Sequence, residues 1–257
     1  MFSAPATQKT AEPLAIARAV VFSPIGGEGL VEQAVRRLGE AIGLGLLEVG
    51  ERLPPEADLA ERFDIAPMTL RQALAILREA GYVETRRGRG GGTFVRRALP
   101  RTPARAAGER LRSLTVEDLR DLIDFRRLVA GASAALAAER ASQAEIAELR
   151  SLVELMAAPP PFPVFRRADS RFHLAVASAS RSPRLTASEA SVQAEMGELL
   201  ALIPHPPEAL RLSNRQHRAI LEAIARREPE AARALTEKHV SGTGDFLVGL
   251  RLGKVSS

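Results

Sequence analysis

One carboxylate and three histidines in the second half of the chain are spaced as metal ligands could be. Asp169 and His173 lie four residues apart in a largely apolar segment, which places both on one face of a helix. His217 and His239 each share one face of a predicted helix with aliphatic residues. Any one such histidine is more typical of a hydrogen-bonded core residue than of a ligand. Burying all four polar groups without partners would be costly, which favours an ion shared between them.

The types of these side chains narrow the choice of metal. Imidazole and carboxylate together suit Zn, Ni, Fe or Mn. The chain has no cysteine, which disfavours a closed structural zinc site built on thiolates. One aspartate and three histidines would leave coordination positions free for water or a ligand. His205 lies in an Ile-Pro-His-Pro-Pro loop and is expected at the surface, and no further acidic residue or histidine is predicted at a matching interior position.

These ligands would project from a C-terminal half that is helical throughout. Thr115, followed three residues later by Asp118, predicts a helix N-terminus, and Ser142 predicts the start of a second helix. Proline-containing segments break the chain at four further places. The pattern predicts a mainly α fold in which residues 115–250 form an antiparallel bundle of about six helices.

A different pattern fills residues 50–95. A short helix is predicted over Glu56–Phe63, and Pro67 suits the first position of the next helix. In that second helix, leucines at helical spacing form one buried stripe. The early solvent-facing positions are then Met68, Thr69, Arg71 and Gln72. In a helix-turn-helix, these N-terminal positions of the second helix reach base edges in the major groove of DNA.

A predicted β-hairpin with an Arg-Gly tip follows and completes a winged helix-turn-helix. Nine arginines and one acidic residue occupy positions 86–112, although the net charge of the whole chain is only +5. A solvated basic linker would also explain this run, but beside a winged helix it favours binding to DNA phosphates. Phosphate contacts are expected from Arg86, Arg87 and Arg89, and Gly90 would allow close approach to the minor groove.

Length and composition indicate the number of domains, the protein's location and the limits of each segment. A chain of 257 residues is long enough for two ordinary domains. The sequence has no apolar run near 18 residues and no secretory signal pattern, so we expect a cytoplasmic protein without a membrane span. Residues 1–24 are predicted as a flexible tail, 25–95 as the winged domain, 96–114 as a linker, 115–250 as the helical domain and 251–257 as a second tail.

The first of two resemblances covers the winged segment. The order G-x-x-L-P-x-E, T-x-R-x-A-L and G-T-F-V resembles the DNA-binding domain of the GntR family of bacterial transcription regulators. Arg71 keeps the place of a family arginine. Ala57 stands where the family usually has a DNA-contacting arginine, and Ala66-Pro67 replaces the usual Ser/Thr-Arg pair, so the resemblance does not imply a particular operator sequence.

The second resemblance covers the helical half. D-S-R-F-H-L-A-V-A-S, N-R-Q-H-R-A-I-L-E-A-I and A-L-T-E-K-H-V resemble the FCD effector domain of the FadR subfamily of GntR regulators. In many members, one aspartate and three histidines hold a divalent metal, and Asp169, His173, His217 and His239 fall on those positions. The resemblance further implies a small organic acid bound beside the metal through a carboxylate, with Arg126 near it. Ala130 and Ser182 depart from the usual pattern.

The leading interpretation is a homodimeric regulator that binds a palindromic operator in double-stranded DNA and responds to a small carboxylate. Twofold symmetry would double the few base contacts that one recognition helix makes. Two alternatives remain open at this point. One is a regulator for which the metal itself is the signal, and the other is a metal-dependent enzyme with a DNA-targeting domain.

Overall fold

Two groups of elements follow one another along the chain, of which the structure, a computed structural model, describes residues 14–96, 104–157, 160–200 and 206–252. The N-terminal group contains α1 (Ala15–Val21), α2 (Leu30–Gly43), α3 (Glu56–Phe63), α4 (Pro67–Glu79), β1 (Val83–Arg86) and β2 (Gly92–Val95). Helix α5 (Ala104–Ser113) connects the two groups. The C-terminal group contains α6 (Val116–Arg140), α7 (Gln143–Leu155), α8 (Phe162–Ala179), α9 (Pro183–Leu200), α10 (Pro207–Ala225) and α11 (Pro229–Arg251).

The predicted helix-turn-helix is formed by α3 and α4. Asp64 ends α3 in a left-handed conformation, with φ of 54°, and Pro67 occupies the first turn of α4. Leu70, Leu74 and Leu77 are buried, and α4 packs against α2 and α3. The stripe of leucines therefore orients α4 and leaves its opposite face in solvent.

The predicted wing is an antiparallel hairpin of β1 and β2, in which Arg86 pairs with Gly92. The segment before α3 extends this small sheet, because the Leu53 amide donates to the Thr93 carbonyl at 2.8 Å. Gly90 has φ of +86°, a conformation that favours glycine. A Cβ at Gly91 would collide with the carbonyl oxygen of Arg86, so a larger residue there would distort the tip.

Helices α6 to α11 form the predicted bundle, and their number agrees with the expected six. Thr115 and Asp118 make a capping box at the start of α6, and Ser142 and Glu145 make another at the start of α7. The central helix α6 packs against α8, α9, α10 and α11. Within the described residues, no helix is both long and apolar enough to span a membrane.

Two predicted boundaries need correction. The tail prediction for residues 1–24 is wrong from Leu14 onward, because α1 is helical and buries Ala17 and Val21 against α8, α9 and α2. The linker prediction for 96–114 is wrong from Ala104 onward, because α5 is helical and contacts α9. Residues 1–13, 97–103 and 253–257 lie outside the described residues.

Helix α1 belongs to the core that both groups of elements share. Phe22, directly after α1, lies 6.1 Å from Phe63 of α3 between ring centroids. The amide of Ile25 donates to the Phe63 carbonyl at 2.9 Å. Arg18 of α1 pairs with Glu51 of the winged group at 3.0 Å. The segment that sequence alone assigned to a tail therefore connects the winged group to the bundle.

Removing two methyl groups from α1 tests this role. Val21 is 5% exposed and Val49 is 53% exposed. Val21→Ala should lower the free energy of unfolding by about 1.5 kcal/mol, at about 0.8 kcal/mol for each buried carbon group. Val49→Ala, the matched control, should change it by less than about 0.5 kcal/mol. If urea denaturation shows the same loss of unfolding free energy for both variants, the packing of α1 described above is contradicted.

Candidate metal centre and DNA interface

Four predicted ligands converge in the interior of the bundle. Helix α8 carries Asp169 and His173, α10 carries His217, and α11 carries His239. All four are buried, and one potential ligand atom from each lies within 4.8 Å of those of the other three. The rings of His217 and His239 are 4.4 Å apart between centroids. Three helices thus bring together residues that are up to 70 positions apart in the sequence.

Several atoms of this cluster have no hydrogen-bond partner within the described residues. They are His173 Nε2 and both ring nitrogens of His217. Nε2 of His217 lies 3.2 Å from Asp169 Oδ1, which places a carboxylate oxygen beside the imidazole without a well-directed hydrogen bond. Buried nitrogens without a protein partner are rare, and where they occur they commonly bind an ion or a water molecule. The donor set therefore fits a divalent metal.

His239 is oriented by a neighbour that the sequence did not suggest. Its Nδ1 lies 2.9 Å from Oε1 of Gln216 on α10. An amide oxygen can only accept, so this contact places the proton on Nδ1 and leaves Nε2 free to bind an ion. Gln216 adjoins His217 in the sequence but belongs to a different helical face, so periodicity gave no signal for it.

Burial and neighbouring charges hold His173, His239 and Asp169 in the protonation states that metal ligands have. Burial lowers the pKa of His173 to about 3, against an ordinary value of 6.5, and outweighs the opposing effect of Asp169. Burial and the two neighbouring histidines lower the pKa of His239 well below its usual value. Burial alone would raise the pKa of Asp169, but nearby His217, Arg166 and His173 bring it well below 3.8. Neutral imidazoles and an ionised carboxylate are the ligand forms that a cation binds.

A second layer of polar side chains surrounds Asp169. Arg166 donates to Asp169 Oδ2 at 2.6 Å and to Gln193 Oε1 at 3.0 Å. Gln193 donates in turn to Glu189 Oε1 at 2.8 Å. Both Glu189 and Gln193 lie on α9 and are almost completely buried. This chain of hydrogen bonds runs from the cluster to α9 and fixes the orientation of each member.

Glu189 corrects one expectation from the sequence. No further acidic residue was predicted at a matching interior position, but Glu189 is 1% exposed and lies next to the cluster. Burial raises the pKa of its carboxyl group, against the opposing effects of Gln193 and Arg126. A polar stripe in α9 at spacings of three and four residues could have revealed it: Thr186, Glu189 and Gln193.

The predicted effector residue Arg126 is also inside the bundle. It is 3% exposed on α6, and its Nε and Nη1 have no hydrogen-bond partner within the described residues. Burial lowers the pKa of the guanidinium, while Glu189 and Asp169 oppose the shift. A guanidinium remains charged in proteins, so Arg126 is a buried cation with free donors.

The predicted DNA-contacting residues lie together on the winged group. Met68, Arg71 and Gln72 are exposed at the N-terminal end of α4, and Thr69 is half-buried there. Nε of Arg71 donates to Glu56 of α3 at 3.1 Å. Both side chains of this pair are largely in solvent, so it contributes little to stability and leaves Arg71 available to another partner.

The three wing arginines differ from one another. Arg86 pairs with Glu84 at 2.7 Å and stacks over Phe94, with 4.3 Å between the guanidinium carbon and the ring centroid. Arg87, Arg89 and Gly90 are exposed at the tip. Arg87 and Arg89 form no ion pair with any other described residue.

His205, expected in a surface loop, lies outside the described residues.

Without a bound metal, the buried His173 should make the free energy of unfolding depend on pH. Between about pH 6.5 and its folded pKa of about 3, His173 binds a proton only in the unfolded chain. The contribution of His173 to the free energy of unfolding is therefore fully present above its unfolded pKa. Below that pKa it falls by up to about 1.4 kcal/mol for each pH unit. Urea denaturation of chelator-treated protein should show a steeper decline between about pH 6.5 and pH 4.5 than His173→Asn. Parallel declines would contradict the buried neutral state of His173.

Comparison with known proteins agrees with both halves of this description. Residues 30–95 match the model for bacterial regulatory proteins of the gntR family, and residues 121–242 match the FCD domain. The chain is 39% identical over 223 residues to the HTH-type transcriptional regulator RmpR of Mycobacterium gastri, covering 85% of this chain and 80% of that protein. It is 32% identical over 221 residues to the Glc operon transcriptional activator of Escherichia coli K12, covering 82% of this chain and 85% of that protein.

The fold comparison is consistent with this. The solved structure of E. coli McbR/YncC covers 87% of this chain and 99% of its own, with a TM-score of 0.52 at 20% sequence identity. At that identity, the likeness concerns the fold alone. The relatives and the matched domains are those of transcriptional regulators, which are not enzymes. The chain belongs to the GntR family of bacterial transcription regulators and carries an FCD domain as its C-terminal half.

Proposed function

We propose that this regulator of the FadR subfamily binds DNA with an affinity set by a small organic acid bound beside a divalent metal. The observation that carries the proposal is the buried cluster of Asp169, His173, His217 and His239. Within the described residues, His173 Nε2 and both ring nitrogens of His217 have no hydrogen-bond partner. Zn or Ni suits these ligands. When bound, the metal supplies a positively charged site for a carboxylate oxygen. Arg126 supplies free N–H donors for the same acid.

The DNA side of the proposal rests on α4 and the wing. The side chains of Met68, Arg71 and Gln72 at the start of α4 are exposed, and in other helix-turn-helix proteins these positions reach base edges. Arg86, Arg87 and Arg89, together with the backbone at Gly90, would contact phosphates and the minor groove. A homodimer on a palindromic operator would double these contacts, because each 13-residue recognition helix reaches only a few base pairs. A regulator that binds the bacterial chromosome works in the cytoplasm.

Helix α8 offers a physical route from the acid to the DNA. Its inner face carries Asp169 and His173, and its outer face carries Arg171, which hydrogen-bonds to Glu48 of the winged group and lies 3.6 Å from Glu148 of α7. A small shift of α8 on binding would therefore change contacts with the winged group. A ligand alters DNA affinity only through different affinities for the two arrangements, and α8 is the element that both sites share.

The metal-sensor alternative uses the same ligands but needs no acid, and acid titration of the metal-loaded protein separates the two. If the metal alone is the signal, DNA affinity will follow metal concentration and no carboxylic acid will alter it further. Nε and Nη1 of Arg126, which have no hydrogen-bond partner within the described residues, favour the acid-responsive form.

Removal of one ligand tests the metal site. His217→Ala should abolish metal retention and the associated stabilisation, about 2.7 kcal/mol at a hundredfold excess of metal over the dissociation constant. Gln216→Ala should weaken metal affinity about ten- to hundredfold, because His239 loses the group that orients it. Elemental analysis and thermal melting with and without chelator measure both effects. Arg215→Ala, at an exposed neighbouring position, and His205→Ala are controls that should keep the metal. Full metal retention by His217→Ala would exclude the site.

Replacement of Arg71 tests the recognition helix. Arg71→Ala should weaken binding to a duplex selected from a randomised pool by about 1–3 kcal/mol while the fold survives, since the side chain is exposed. Arg78→Ala, at the far end of the same helix, is the matched control and should bind within about twofold of the unaltered protein. A folded Arg71→Ala protein with unchanged affinity would contradict the assignment of α4.

Disruption of the α8 contact tests the route of coupling. Arg171→Ala and Glu48→Gln should each retain metal, acid and DNA binding but reduce the acid-induced change in DNA affinity, which in allosteric proteins is typically about 5- to 150-fold. Arg211→Ala, which removes an ion pair within α10 alone, should leave that change intact. A full acid response in both coupling variants would exclude this contact as the route.

A further inference from the structure

The turn that begins α4 presents a strip of three side chains without any hydrogen-bonding group. Ala66 is the N-cap of the helix, Pro67 is its first residue and Met68 follows, and all three are exposed. Met68 has 61% of its surface in solvent. Single apolar residues on a surface are common. This strip differs from them because it is continuous and lies on the part of the helix that a helix-turn-helix directs at base edges.

The helix keeps Met68 on the outer side of the winged group. Leu70 and Leu74 fill the buried face of α4, and Thr69, the next residue, is half-buried. Met68 therefore has no place in the core unless this packing is disturbed. A methionine side chain has three rotatable bonds and a polarisable sulfur, so it adapts to the shape of an apolar partner.

The polar side chains beside Met68 suit the polar edges of bases. Arg71 donates through Nε to Glu56 at 3.1 Å, and its two Nη groups have no hydrogen bond within the described residues. Gln72 is exposed and carries both a donor and an acceptor. Arginine commonly pairs with guanine and glutamine with adenine in the major groove. Met68 can make neither kind of contact and needs a different target.

Thymine supplies the apolar group of the major groove. The other bases present nitrogen and oxygen atoms there, whereas thymine adds a methyl group at C5. We propose that Met68 recognises a thymine of the operator by contact with this methyl group. The inference rests on the proposed placement of α4 in the major groove and adds the chemical group that the first turn of the helix recognises.

The contact favours thymine because it removes two apolar groups from water. Burial of one carbon group corresponds to about fourfold in affinity. A cytosine in the same place would bring its amino donor against the strip. The thioether sulfur is only a weak acceptor, so that donor would lose its hydrogen bond to water without an equal replacement. Met68 therefore selects for thymine and against cytosine.

Deoxyuridine tests the contact, because it pairs with adenine as thymine does and lacks only the C5 methyl group. The full-length protein selects a duplex from a randomised pool, and each thymine of the site is then replaced in turn. At one thymine or more, the replacement should weaken binding about fourfold, and about 15-fold when made at both symmetric positions of a palindromic site. A selected site without thymine, or equal affinity for every substituted duplex, would overturn the proposal.

Replacement of Met68 assigns the methyl effect to its side chain. Met68→Ala should bind the thymine and deoxyuridine duplexes within about twofold of each other, whereas Met68→Leu should keep the preference for thymine. Ile76→Ala is the matched control, because Ile76 is also apolar and 46% exposed but lies two turns further along α4. This control should keep the full methyl effect. An undiminished effect in Met68→Ala would exclude Met68 as the contacting residue.

Arg71→Ala separates this inference from the proposed function. If Arg71→Ala weakens DNA binding and deoxyuridine has no effect, α4 remains the recognition helix and the thymine contact is rejected. If neither Arg71→Ala nor Met68→Ala changes the affinity of the folded protein for the selected duplex, both assignments are rejected. Loss of affinity in Arg71→Ala together with a methyl effect that disappears in Met68→Ala supports both.

Discussion

The burial of one carboxylate and three imidazoles at one point of the bundle is the constraint on which the rest of the structure depends. Asp169 and His173 must face inward from α8, and His217 and His239 must meet them from α10 and α11. Burial lowers the pKa of His173 and of His239, so both rings are neutral in the folded protein. A cation that replaces the missing hydrogen bonds would hold three helices together, so metal binding and bundle stability are linked.

Because it takes part in the buried cluster, helix α8 has two structural roles. Its inner face supplies two ligands, and its outer face contacts the winged group through Arg171 and Glu48. Helix α1 reinforces this junction because it packs against α8 and α9 and pairs with Glu51 through Arg18. The winged group therefore contacts the helix that contributes two of the four side chains in the buried cluster.

The sequence predicted those parts of the structure that depend on local periodicity and capping. Leu70, Leu74 and Leu77 defined the buried face of α4, and the Thr115–Asp118 and Ser142–Glu145 boxes began α6 and α7. The convergence of Asp169, His173, His217 and His239 could be predicted because each lies on an apolar helical face. Residues defined by tertiary contacts were missed. Helix α1 spans seven residues with no side-chain cap, so contacts with distant parts of the chain stabilise it rather than its own sequence. Glu189 and Gln216 acquire their roles from partners on other turns or helices.

The central claim is that a small acid changes DNA affinity through the buried metal. The test is the dissociation constant for a selected DNA duplex in four states: metal-free protein and zinc-loaded protein, each with and without a saturating small carboxylic acid. We expect the acid to change the constant by at least about fivefold in the zinc-loaded protein and to leave the metal-free protein unaffected. An equal response in both proteins, or no response in either, would contradict it.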